Sequence, residues 1–125
     1  MRAILILLVA SCSGPSSGGG NRGLDEREHA YTIGGGEIVE LRVELDEGAA
    51  LVTDWSASAT LPWEVHAHPL GMLEVYQGGV DASGTIMFTA AASRPFGIQW
   101  GNFGDGPVSL EVTLDLPPGA TLLEW

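Results

Sequence analysis

From Glu37 the chain alternates with a period of two. Ile38, Val39, Leu41, Val43 and Leu45 stand against Glu40, Arg42 and Glu44, which predicts a strand with one wet face. Asp46-Glu47-Gly48 turns the chain. Leu51, Thr53, Trp55 and Ala57 then alternate with Asp54, Ser56 and Ser58 in a second strand that is expected to stop near Pro62. Trp63 to His68 reads as a third strand, with Trp63, Val65 and Ala67 on the buried side and Glu64, His66 and His68 on the polar side. Leu73 to Gln77 is a short fourth, followed by turns at Gly78-Gly79 and at Asp81 to Gly84. Thr85 to Ala90 is apolar at nearly every position, so it is expected deep in a sheet. Phe96 to Trp100 is the sixth strand. After a Gly-rich connection from Gly101 to Pro107, whose Asn and Asp suit side-chain-capped turns, Val108 to Leu116 shows the cleanest alternation of all.

Seven to eight short strands and no helical apolar period predict an all-β chain folded as a small antiparallel β-sandwich. Its core is expected around Trp55, Trp63, Phe88, Phe96 and Trp100. At 125 residues there is room for one domain. The charge of −11, with no lysine, excludes a nucleic-acid partner as an expectation, because phosphate binding requires clustered cations.

The single cysteine, Cys12, cannot form an internal disulfide, so packing alone must hold the fold. It stands behind a positive start (Met1-Arg2), an apolar run (Ala3 to Val9) and two small residues. Val9-Ala-Ser-Cys12 resembles the lipobox of bacterial lipoproteins. That resemblance implies removal of residues 1–11, a diacylglycerol on the Cys12 sulfur and an acyl chain such as palmitate on its new amino group. Ser13 after the cysteine implies the outer membrane, facing the periplasm or the cell surface. Residues 12–29 then read as lipidated cysteine and flexible Gly/Ser tether, whose eleven residues from Ser13 to Gly23 would reach roughly 18 Å. The sandwich domain is expected over 30–125.

The succession of a Trp55 strand, the Trp63-to-His68 strand, Gly84 to Ala90, then Phe96-Gly-Ile-Gln-Trp100-Gly-Asn102 and an alternating last strand is similar to the GOLD-type jelly-roll or β-sandwich domain, over roughly 30–116. Eukaryotic members use that domain for protein recognition in secretory traffic and often carry a cysteine pair. This chain has no such pair, so the resemblance implies the fold and not a cargo role.

For chemistry, residues two apart on a strand point the same way, which lines up Glu64, His66 and His68. Two imidazoles and a carboxylate suit zinc, copper or iron, with Met72 or Met87 able to add a soft thioether for copper. The plainer reading is a polar strand face that is exposed or hydrogen-bonds to neighbouring loops, since two histidines need a third donor and His29 falls in the tether. His66-x-His68 with Glu74 resembles the cupin motif, but the glycine spacing and the later histidine are missing. No Gly-x-Ser-x-Gly surrounds any serine, so no catalytic residue is assigned. Glu40, Glu44, Glu111 and Asp115 form an acidic, solubilising face. Tyr76 is the aromatic expected to be available to a carbohydrate or peptide groove, whereas Trp125, after Pro117-Pro118, is expected to pack against the sheet with Leu122 and Leu123. The sequence therefore predicts a lipid-anchored, non-enzymatic envelope protein that binds another envelope component, with a periplasmic copper or zinc protein as the alternative.

Overall fold

The computed structural model describes residues 25–123. Met1 to Leu24 and Glu124-Trp125, and with them the signal peptide, Cys12, the Gly/Ser tether and Trp125, lie outside the described residues. The rest is an antiparallel β-sandwich built from β1 (Asp25–Ile33), β2 (Glu37–Leu45), β3 (Ala50–Ala67), β4 (Glu74–Thr89), β5 (Arg94–Asn102), β6 (Val108–Leu116) and β7 (Thr121–Leu123).

The two layers are made by one long bent hairpin. The first half of β3 pairs with β6 (Val52 to Ala57), and its second half pairs with β5 (Trp63 to His66). Along its other margin β3 pairs with β4 from end to end, with a register shift between Ser56 and Leu61 and another between Val65 and His66. One layer is thus β1-β6-β3-β4 and the other β7-β2-β5-β3-β4, with β3 and β4 crossing between them. The layers meet through Trp55 and Trp100, edge to face with ring centroids 5.9 Å apart, and through Phe88 and Phe96 at 4.9 Å. Such pairs add about 0.5–1.5 kcal/mol beyond the area they bury.

The outermost margin of the hairpin is closed by a side chain. Nε2 of Gln77, in the first half of β4, donates to the carbonyl oxygen of Met87, in its second half, at 2.9 Å. Ten residues of straight strand would hold those positions about 33 Å apart. Their contact therefore reports how sharply β4 folds back at Val80 to Gly84.

Several expectations are corrected. Pro62 does not end a strand, because β3 runs through it at the bend where the ladder is already interrupted. The glycines at 78, 79 and 84 do not make turns either: they lie inside β4, where a bent strand has no use for bulky side chains. Thr85 to Ala90 is not deep. Only Ile86, Phe88 and Ala90 are buried, because β4 has a main-chain neighbour on one side alone. The stretch from Asp25, assigned to the tether by its charge, is the start of β1, paired with β6 from Asp25↔Leu116 onward. Four of the five expected core aromatics are buried. The fifth, Trp63, is half-buried, and its indole N–H donates to Asp81 Oδ2 at 3.0 Å.

Candidate functional site

Register places Glu64, Gln99 and Glu40 in one row across β3, β5 and β2, and His66, Gly97 and Arg42 in the next row on the same face. On the expected polar side of β3, His66 is nevertheless only 2% exposed. The carboxylates on either side account for this. Nε2 of His66 is 3.0 Å from Glu40 Oε2, and its Nδ1 is 3.1 Å from Glu64 Oε2. The Glu40 contact is a hydrogen bond, whereas the Glu64 contact does not meet hydrogen-bond geometry.

Gly97 makes room for this arrangement. A Cβ there would collide with the Glu40 carboxylate and stand 3.0 Å from His66 Nε2. The exposed-face expectation for His66 is therefore corrected: a carboxylate supplied by β2 reaches across β5 and covers it. Glu40, expected only to keep the chain soluble, is drawn into the same contact.

His68 is exposed, and its ring meets that of His66 edge-on at 5.1 Å. Among the described residues no three His, Cys, Asp or Glu side chains are grouped so as to hold a metal ion. With both nitrogens facing carboxylate oxygens, His66 acts as a polar tie between β2 and β3. Met72 and Met87 are both largely exposed, on the β3–β4 tip and on β4.

Tyr76 does not stand out as a free aromatic. It packs against Phe88 and Phe96, with centroids at 5.5 and 5.8 Å, and its hydroxyl donates to Glu74 Oε1 at 2.9 Å. Burial pushes its phenol above the ordinary value of 10.0, and the hydrogen bond to the Glu74 carboxylate and its charge push the same way, against the opposing effect of Arg94.

The most exposed apolar surface is the tip joining β3 to β4. Pro69 to Gly71 forms a tight turn, closed by Gly71 N donating to His68 O at 3.1 Å and Met72 N to Pro69 O at 3.0 Å. Leu70 has φ 57 and ψ 30, left-handed values that cost a side-chain-bearing residue about 1–2 kcal/mol. It is 99% exposed, and Met72, Leu73 and Val75 follow it into solvent. Under the tip lies an open groove of about 440 Å³ whose lining includes Glu40, Arg42, His68, Arg94 and Phe96. The alternation pattern ends a strand at His68 and marks no protruding tip after it. The signal available was the run Leu70-Gly-Met-Leu73, apolar residues at a position where turns are ordinarily polar.

No known protein family matches the chain, and no curated protein matches its sequence. Its fold is similar to that of a solved structure, PliG of Aeromonas hydrophila, a periplasmic lysozyme inhibitor of g-type lysozyme. The two share 17% sequence identity with a TM-score of 0.57, over 74% of this chain and 88% of that one.

Proposed function

We propose, starting from the fold shared with a lysozyme inhibitor, that this chain is a non-catalytic cell-envelope protein whose sandwich binds a protein partner through the β3–β4 tip. The observation that carries this reading is Leu70, an apolar side chain held fully in solvent by a strained backbone with no intramolecular burial to offset it. Strain of that kind persists where the surroundings impose it, and a protruding apolar tip gains its compensation on burial in a partner. The shallow, open groove beneath the tip suits a contact surface better than a reaction chamber.

The likeness to PliG supplies the partner class to test, an enzyme that attacks the cell wall. Binding of a g-type lysozyme to the immobilised protein is the experiment. Leu70→Asp is expected to weaken it about ten-fold or more without lowering the melting temperature. A lysozyme that neither binds nor is slowed by a large excess of the protein would remove this partner, and steady turnover of a substrate by the chain itself would remove the reading altogether.

The proposal includes the address. The Val9-Ala-Ser-Cys12 pattern supports lipid anchoring at Cys12 and an outer-membrane position facing the periplasm or cell surface. Labelled fatty acid should enter the wild-type protein and spare Cys12→Ser; equal labelling of both would defeat it.

The alternative reading, a copper or zinc protein, is favoured by one observation, the Glu64–His66 contact with the His68 ring beside it. It requires a further donor from outside this cluster. Titration with either metal decides it: binding must be tight and lost in the His66→Ala/His68→Ala double variant for that reading to stand.

A further inference from the structure

The connection between β5 and β6 is held from three sides. Asn102, itself buried, donates from Nδ2 to the carbonyl oxygens of Ile33 and Gly106, each at 2.8 Å, and its Oδ1 accepts from the amide of Gly104 at 3.0 Å. The amide of Gly36 donates to the Asn102 carbonyl at 2.7 Å. The β1–β2 turn presses so closely that a Cβ on Gly35 would stand 2.6 Å from Gly104 O and 2.9 Å from Asp105 O.

A loop fixed this firmly loses little further freedom on binding, which is what a preorganised contact requires. Yet its tip presents Phe103 at 72% exposure, with the far end of the ring against Gly101, where a Cβ would come within 2.9 Å of it.

Beside the ring runs a groove of about 470 Å³ between this loop and the bend of the β3–β4 hairpin. Its walls include Ala59, Pro62, Val80 and Pro107, and of its lining residues only Asp105 is charged. We propose that this groove is a docking site for an arginine or lysine side chain of a protein partner. The face of Phe103 attracts a cation, the apolar walls accept the aliphatic stem, and Asp105 supplies the counter-charge. An anionic group would meet Asp105 with no cation among the lining residues. A net charge of −11 steers cationic surfaces toward the molecule as a whole. The site goes beyond the tip reading, because β5 runs from Arg94 beside the Leu70 groove to Asn102 here, about 26 Å away along the strand.

The test uses the ¹⁵N-labelled protein and a short Gly/Ser peptide with one central arginine, alongside the same peptide carrying neutral citrulline. The arginine peptide should shift the amides of Val80, Phe103, Gly104 and Gly106. Phe103→Ala and Asp105→Asn should each weaken it about three-fold or more, as expected for loss of a cation–π or a charge contact. Phe103 is exposed, so its variant should melt with the wild type, and Asp105→Asn provides an independent reading if it does not. Equal binding of the citrulline peptide, shifts confined to other residues, or no shift at about 10 mM peptide, a Kd weaker than any useful contact, would overturn the proposal. So would an N-acetylglucosamine oligomer that moves these amides when the arginine peptide does not. Leu70→Asp should leave the peptide titration unchanged, so failure at the lysozyme tip and failure at this groove are read separately.

Discussion

Single residues divide here into those that the core satisfies and those that it does not. Thr53 is fully buried between Ile86 and Leu114 on the neighbouring strands, and its hydroxyl has no hydrogen-bond partner. An unpaired buried hydroxyl costs about 1–3 kcal/mol, and valine has the same shape without it, so Thr53→Val should raise stability by about 1 kcal/mol. Urea unfolding would show this as a higher midpoint at unchanged slope; a lower midpoint would mean that the hydroxyl is satisfied in solution. Tyr76 gives a pH dependence whose sign follows from its raised phenol. The folded state favours the protonated form, so its contribution to stability is complete below pH 10 and is lost as pH rises through the folded value. Tyr76 should therefore ionise above pH 10 by carbon NMR, and Glu74→Gln should bring it back toward that value by removing the carboxylate that receives its proton. The residues that face the core were legible before any fold was known: Val39, Leu41, Val43, Leu45 and the alternate positions of Val108 to Leu116 are buried as their spacing predicts. His66 was not, because its burial depends on Glu40, 26 residues earlier, and on the missing side chain of Gly97.

Among the elements, the β3–β4 hairpin governs the architecture, since it alone belongs to both layers. Its halves were read as four separate strands because Pro62 and the glycines at 78, 79 and 84 are local signals for turns. In the structure they mark the bend of two continuous strands. A bend and a turn draw on the same residues, so only the partners on either side, β6 then β5, distinguish them. The outer margin of β4 is then an exposed edge, of the kind that folded proteins must protect from pairing with other chains. Gln77 serves that end by clasping Met87 across the fold of the strand. Gln77→Ala should lower stability by about 1 kcal/mol. It should also speed amide exchange in the β3–β4 ladder while leaving β2 and β5 protected, and uniform acceleration across both layers would assign the bond no local role. The connection at Gly101 to Pro107 followed its sequence more closely. Asn102 caps it with its side chain, as the composition of that segment predicts.

At the scale of the whole molecule, a charge of −11 on a 125-residue chain is a self-repulsion that folding concentrates. Screening length falls from about 30 Å at 0.01 M salt to about 8 Å at 0.15 M, so the melting temperature should rise by roughly 4 °C over that interval. A flat or falling trend in calorimetry would show that local contacts between opposite charges, such as Arg94 with Glu74, outweigh the net charge. Two of the exposed apolar side chains, Leu70 and Phe103, lie at opposite ends of the layer containing β5. A leucine or phenylalanine in a short loop is as readily buried as exposed until the surrounding strands fix where that loop projects. The sequence alone determined the strand character of the chain and the inward face of most strands, because side-chain alternation is a property of consecutive residues. Only the tertiary structure decided which strands were continuous, that His66 would be enclosed by two carboxylates, and which apolar side chains remained in water. Each of those depends on groups far apart in the chain, brought together when β3 and β4 bend from one layer into the other.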